Sequence, residues 1–133
     1  MRSNDDTITQ AERHFQVRLP EDYRHFLVTE GTMARFVPPT DDFLMIHAAE
    51  ELIEINEAGE FQDRFPGSVV IGGDGGRELL TYDFRQEPPS LVLLDHSAQD
   101  WSSAIHQAPS FSALLERFPE TGWQWDASEP APF

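Results

Sequence analysis

The chain has 133 residues, the usual size of one domain and enough to bury a core without disulfides or metal. It contains no cysteine, which excludes disulfides, thiolate nucleophiles and cysteine-ligated metal sites. Its formal net charge is −15, because it has 24 acidic residues and 9 basic residues, all of them arginine. This negative charge opposes binding to nucleic acid or an anionic membrane and favours a basic protein partner.

The sequence shows no targeting or membrane-spanning segment. No apolar run approaches the roughly 20 residues that a spanning helix needs, and the N-terminus MRSNDDTITQ lacks the basic and apolar regions of a signal peptide. We therefore expect a cytoplasmic protein. High acidity is also typical of soluble domains in general, so the charge does not by itself identify a partner.

The first quarter of the chain predicts two helices separated by Leu19-Pro20. Residues 1–7 are expected to be frayed, and one of their polar residues to cap a helix over 8–15. The residue before a proline disfavours the α conformation, whereas proline itself suits the first turn of a helix, so a second helix should begin at this dipeptide. Two acidic residues in its first turn and Gly31 at its end agree with that boundary.

From residue 35 the pattern changes to short apolar runs that are typical of strands. Runs at 35–37 and 43–46 flank an acidic turn at 38–42, and a third helix is expected to follow and to end near Gly59. Residues 61–66 predict a connection without regular structure.

The second half predicts a strand meander followed by one helix. Strands are expected at 69–71, 79–82 and 91–94, with a glycine-rich and then a proline-rich turn. The last helix should start around Ser110 and stop before Pro119, which leaves 119–133 as a C-terminal tail. Helices around an antiparallel block predict one α+β domain over 1–133. It should have a sheet of about five or six strands and helices packed mainly on one face.

Four motifs in order resemble the SUKH superfamily, the Smi/Knr-type fold of bacterial immunity proteins and fungal cell-wall regulators. They are the Leu19-Pro20 helix closed by Gly31, the helix from Glu50 to Asn56, the strand entering Gly72-Gly73-Asp74-Gly75-Gly76, and the strand before the Ser110-Phe111 helix. Together they span about residues 8–118. In two respects the chain departs from the family: Glu30 stands where Asn is frequent, and a glycine often found before Leu-Pro is absent.

This resemblance implies a SUKH-like fold and a role in binding protein. Bacterial members of the superfamily resemble antidotes that bind and neutralise a toxin domain, often a nuclease. Other members resemble scaffolds or regulators. We expect no catalytic residue and no cofactor.

The glycine-rich segment at 72–76 admits two interpretations. A glycine-rich loop after a strand can present backbone N–H groups to a phosphate. However, no Lys-Ser/Thr pair follows, the next segment predicts a strand rather than a helix, and Asp74 and Glu78 would repel an anion. We therefore expect a flexible hairpin turn, with Asp74 available to a basic partner.

No combination of side chains predicts catalysis or a metal site. The histidines are dispersed without an i, i+4 pair, namely His14, His25, His47, His96 and His106. Asp95-His96-Ser97 contains an acid, a base and a hydroxyl, but adjacent residues point apart on a strand, so a strand end and turn is the better interpretation. The pairs Asp41-Asp42 and Glu50-Glu51 look solvated, whereas glycosidase chemistry needs a buried acid across a cleft.

Exposed acids beside aromatic or mobile segments are the candidate partner-binding residues, because interfaces favour aromatic anchors and complementary fields. The preferred patch is Asp95, Asp100 and Trp101. The alternative is that Trp101 covers the core while the acids only solvate the surface. The further candidates are Asp41, Asp42, Glu50, Glu51 and Asp74. Trp123-Gln124-Trp125 either packs on the core or anchors a partner.

Three functions stay open at this point. The first is an immunity protein that neutralises a basic bacterial toxin, for example a nuclease, by direct binding. The second is a regulatory or scaffold module that binds a housekeeping protein. The third is a small-molecule enzyme or sensor, for which the sequence nominates no convergent polar groups.

Overall fold

The computed structural model describes residues 3–125 of the chain. Within that range six strands form one antiparallel sheet: β1 Met33–Val37, β2 Asp42–Ile46, β3 Ser68–Gly73, β4 Glu78–Asp83, β5 Ser90–Asp95 and β6 Ile105–Ala108. Each strand pairs with its neighbours in sequence, in the order β1-β2-β3-β4-β5-β6. The helices are α1 Asp5–Phe15, α2 Glu21–Thr29, α3 Ala49–Ala58, α4 Phe61–Arg64 and α5 Phe111–Thr121, with one 3₁₀ turn at Trp101–Ser103. The predicted α+β class and antiparallel sheet are confirmed.

The N-terminal segment is more ordered than predicted. The side chain of Asn4 accepts a hydrogen bond from the Thr7 N–H (2.8 Å), so α1 begins at Asp5 rather than at residue 8. The expected fraying of residues 1–7 is wrong for residues 3–7, because Ser3 is buried and its N–H donates to the Leu27 carbonyl (2.8 Å). Residues 1 and 2 lie outside the described residues.

The second helix begins and ends as predicted. Pro20 precedes α2, and Gly31 follows it with φ +85°, the left-handed conformation that a helix end favours in glycine. Its buried face consists of Tyr23, Phe26 and Leu27.

Hydrophobic clusters cover the sheet on both faces, unequally. On one face α1, α2, α3 and α5 form the main core with inward strand residues, among them Leu44, Val69, Ile71, Leu80 and Leu93. The opposite face carries a smaller cluster beneath α4 and the 3₁₀ turn: Phe61, Phe65, Val70, Val92 and Leu94. Residues 61–66 were expected to be irregular. They instead begin with a helical turn, in which the i, i+4 pair Phe61 and Phe65 points into this cluster.

The last helix continues past Pro119, where it was expected to stop. A proline inside a helix removes its own N–H, but the following turn is retained here, because the Gly122 N–H still donates to the Phe118 carbonyl (2.9 Å). Beyond the helix, Trp123 and Gln124 form hydrogen bonds to residues of β2 and β6. The rest of the predicted tail, 126–133, lies outside the described residues. Among residues 3–125, no helix has the length and apolar character needed to cross a membrane.

Candidate protein-binding surface

One end of the sheet carries four of the eight predicted binding residues. The antiparallel register places the turn after β1, the turn after β3 and the end of β5 at this same end, with Asp41, Asp42, Asp74 and Asp95. Asp100 precedes Trp101, whose indole contacts Pro66 before β3 and Arg85 after β4, at the opposite end of the sheet. Glu50 and Glu51 lie in the first turn of α3. The structure therefore does not bring the predicted residues together in one patch.

The glycine-rich segment is a hairpin turn between β3 and β4, as predicted. Oδ1 of Asp74 accepts hydrogen bonds from the N–H groups of Gly76 (2.8 Å) and Glu78 (3.1 Å). Gly75 has φ +83°, a conformation that side chains disfavour. Two N–H groups of the loop therefore bind the protein's own carboxylate instead of an external anion.

Asp95 and Asp100 each close a local turn. Oδ1 of Asp95 accepts hydrogen bonds from the N–H (2.8 Å) and hydroxyl (2.6 Å) of Ser97, and Oδ1 of Asp100 accepts the same two bonds from Ser102. These bonds hold the pKa of both carboxyls below the ordinary value. Asp95-His96-Ser97 is thus a strand end and turn, and the three side chains form no catalytic relay.

Trp101 covers the smaller cluster. Its Nε1–H donates to the Pro66 carbonyl (2.9 Å), and its ring meets Phe65 edge-on. The Arg85 guanidinium lies 4.1 Å from the centroid of the indole ring. This geometry agrees with the alternative in which Trp101 covers the core. A role of Asp95, Asp100 and Trp101 in partner binding stays a prediction.

Asp42 holds the C-terminal segment in place. Its Oδ2 accepts from the Trp123 N–H (3.2 Å), while the Trp123 indole donates to the Phe43 carbonyl (3.0 Å). On β6, the Gln107 side chain donates to the Gln124 carbonyl (2.7 Å) and accepts from the Gln124 N–H (2.9 Å). Trp123 is 3% exposed, so of the two alternatives for this residue the structure shows core packing.

The acids at the start of α3 also have structural partners. Glu50 accepts from the Ser3 hydroxyl (2.8 Å), and the same hydroxyl oxygen accepts from the Ala49 N–H (3.1 Å). Glu51 accepts from the Ala48 N–H (3.2 Å), which is the one half of a capping box that an alanine N-cap allows. Both glutamates remain exposed, so each has a structural role and a solvent-facing carboxylate.

Four acids that were not selected from the sequence extend this surface: Glu54, Glu57, Glu60 and Asp63. All four are exposed, and within residues 3–125 none of their carboxylates forms an ion pair or a hydrogen bond. The neighbouring base, Arg64, instead donates to the backbone carbonyls of Gly59, His96 and Ala98. We call Glu50, Glu51, Glu54, Glu57, Glu60 and Asp63 the α3–α4 acidic face. The helical spacing of residues 50, 54 and 57 was the sequence signal for it.

In the part of the chain that the structure describes, no three His, Asp or Glu side chains lie close enough together to hold a metal ion. A comparison with curated proteins gives no match to the sequence. The family model described as SMI1 / KNR4 family (SUKH-1) matches residues 3–117, which extend from the N-cap region of α1 into α5 and include all four sequence motifs. On that match, the chain belongs to the SMI1/KNR4 family (SUKH-1).

Proposed function

We propose that this domain is an immunity-type protein that binds a basic bacterial toxin domain and neutralises it by direct contact, without catalysis of its own. The observation that carries the proposal is the α3–α4 acidic face, six exposed carboxylates between residues 50 and 63 without an ion pair among the described residues. Membership of the SMI1/KNR4 family, known for protein–protein interactions, supports a protein partner.

Repulsion within the α3–α4 acidic face lowers the stability of the fold, which favours a role for these charges in association with a partner. Like charges three or four residues apart on a helix destabilise it by about 0.2–0.5 kcal/mol per pair. A protein field of one sign attracts a partner of the opposite sign and raises the association rate. Enzymes that act on nucleic acid need Lys and Arg to contact phosphates, so a toxin of that class would present the complementary basic surface.

Co-expression with the product of the gene immediately upstream tests the proposal. We expect that product to be lethal alone, to be neutralised by this protein, and to be pulled down with it more efficiently at low than at moderate salt. A harmless neighbour that does not bind would overturn the toxin assignment and favour the regulatory or scaffold role.

Charge removal tests the α3–α4 acidic face within such a complex. The double variant Glu54→Gln/Glu57→Gln should slow association by about two- to fivefold at low salt and reduce its salt dependence. The matched control is Glu116→Gln/Glu120→Gln, which removes two exposed charges from α5. Equal effects of the two pairs would show that only net charge matters and would remove the face from the proposal.

The patch of Asp95, Asp100 and Trp101 is a second place to test. Arginine at either aspartate position would break a turn, so Asp95→Asn and Asp100→Asn are the suitable variants, because Asn keeps an acceptor oxygen. If this patch contributes, the double variant should slow association as the α3 variant does. Unchanged association rates would exclude it.

A further inference from the structure

The β1–β2 hairpin has an uncovered apolar face. Phe36 is 54% exposed, and the strand register places it beside Phe43 and places Ala34 beside Met45. Side chains alternate along a strand, so these four share the face opposite to Leu44, which is in the main core. Among the described residues, the smaller cluster on this face includes no residue of β1 or β2.

A shallow depression of about 190 Å³ adjoins this face, and its wall and floor include Met45, Gly72, Gly73, Gly75, Glu78 and Leu79. Glycine is needed at positions 72 and 73, because a Cβ on either residue would collide with a backbone oxygen of a neighbouring strand. The Cβ position of Gly75 lies 3.2 Å from the Phe43 ring. The depression and the apolar face are therefore continuous.

The rim of the depression carries excess negative charge. Glu78 stands directly opposite Asp95 in the β4–β5 register, and burial together with Asp95 and Asp74 raises its pKa. Among the described residues, Arg77 is the base that opposes this effect, but its side chain is 76% exposed and its guanidinium lies 3.5 Å from Asp95. On the other side, His47 lines the depression and is close enough to Glu51 for that carboxylate to act on its pKa, which burial lowers.

From this juxtaposition we propose that the depression and Phe36 are the docking site for a basic segment of the protein partner, and that an arginine side chain enters the depression. Its aliphatic stem contacts Met45 and Leu79, and its guanidinium reaches past the end of β4 to Glu78, which the register places on the main-core face with Leu80 and Leu93. Phe36 packs against an apolar side chain next to the arginine. The inference rests on the proposed function for the sign of the partner's charge. A second copy of this chain is the wrong occupant, because two molecules of charge −15 repel each other.

Chemical-shift titration with a small probe tests the site without the toxin. The probe is N-acetyl-arginyl-leucinamide, and the matched control replaces arginine with uncharged citrulline. We expect saturable shifts of the Gly72, Gly73 and Glu78 amides with the arginine probe and at least about threefold weaker binding of the citrulline probe. Shifts that do not saturate, or that spread evenly over the acidic surface, would overturn the proposal.

Variants of the full chain locate the two contacts separately. Glu78→Gln should weaken binding of the arginine probe by at least about threefold. Phe36→Ser should also weaken binding of the arginine probe, but should leave the ratio of its affinity to that of the citrulline probe unchanged. Glu116→Gln, an exposed acid on α5, should have no effect. If Glu78→Gln binds as tightly as the unmodified protein, the site is wrong, whereas the toxin proposal keeps its own test in the co-expression experiment.

Discussion

The side-chain amide of Asn56 hydrogen-bonds both backbone groups of Val70. Its Nδ2 donates to the Val70 carbonyl (3.0 Å), and its Oδ1 accepts from the Val70 N–H (2.9 Å). The β2 strand pairs with β3 only at Gly72 and Gly73, so the rest of the β3 edge needs another partner. A single helix residue supplies the bonds that the next residue of a strand would have made.

Asn56→Ala should therefore destabilise the protein by about 2–4 kcal/mol, because it leaves the N–H and carbonyl of buried Val70 without partners. Asn56→Asp should lower the free energy of unfolding by at least as much, because a carboxylate cannot donate a hydrogen bond to the Val70 carbonyl and its charge would be buried. Urea unfolding gives the free energy of unfolding for each variant. Glu54→Ala, on the exposed side of the same helix, is the control and should change it by less than about 0.5 kcal/mol. A comparably small change in Asn56→Ala would contradict the edge-closing role.

Trp123→Ala should lower the free energy of unfolding by about 3–5 kcal/mol, because it empties a buried site against Phe118 and removes the hydrogen bond to the Phe43 carbonyl. Trp125→Ala is the matched control. That indole is 51% exposed, so its removal should have little effect in the same denaturation measurement. Similar losses for the two variants would mean that the segment is not held by Trp123.

Glu78→Gln should stabilise the protein at neutral pH. The pKa of Glu78 is raised above its ordinary value of 4.5 in the folded state, so its ionised form costs folding free energy at high pH, and the cost disappears as pH falls toward that value. The gain at pH 7 should be about 0.3 kcal/mol, since the site is partly solvated. Thermal unfolding between pH 4 and pH 7, in the range of ordinary carboxyl pKa values, measures it. A gain that grows as the pH falls would contradict the assigned cause.

Asp83→Asn should have the opposite pH dependence. Burial alone would raise the pKa of Asp83, but hydrogen bonds from Arg85 outweigh it and lower the pKa below its ordinary value of 3.8. The Asp83–Arg85 pair therefore stabilises the fold at pH values above the ordinary pKa of 3.8. This stabilisation is lost as the pH falls through the lower pKa that Asp83 has in the folded protein. Because the Arg85 side chain is 51% exposed, we expect a loss of only about 1 kcal/mol at pH 7. A loss that persists at pH 2, well below the ordinary pKa, would indicate a packing effect instead.

Local signals in the sequence predicted the elements whose boundaries are set locally. Pro20 and Gly31 bound α2 because each acts on its own backbone conformation. The sequence Asp95-His96-Ser97 was equally local and indicated a strand end and turn. The same Asp-x-Ser spacing in Asp100-Trp101-Ser102 was a signal that the sequence analysis did not use.

Other features depend on strands and helices that are distant in sequence. The depression requires β2, β3 and β4 in one particular register, and no short motif encodes that register. The same holds for Ser3, whose burial depends on Leu27 and on Glu50 of another helix. The predicted fraying was wrong for residues 3–7 for this reason, because residue type alone does not show which surface a segment contacts.

The order of the sheet has a consequence for how the chain is made. Each strand from β2 onward pairs with the one synthesised just before it, so β1 to β6 can associate in sequence as the chain leaves the ribosome, once α3 and α4 between β2 and β3 have emerged. The main core, however, still lacks Phe111, Leu114 and Phe118 at that stage, and Trp123 has yet to reach Asp42. We expect nascent chains that end before residue 123 to stay sensitive to protease, with resistance appearing abruptly once that residue has emerged.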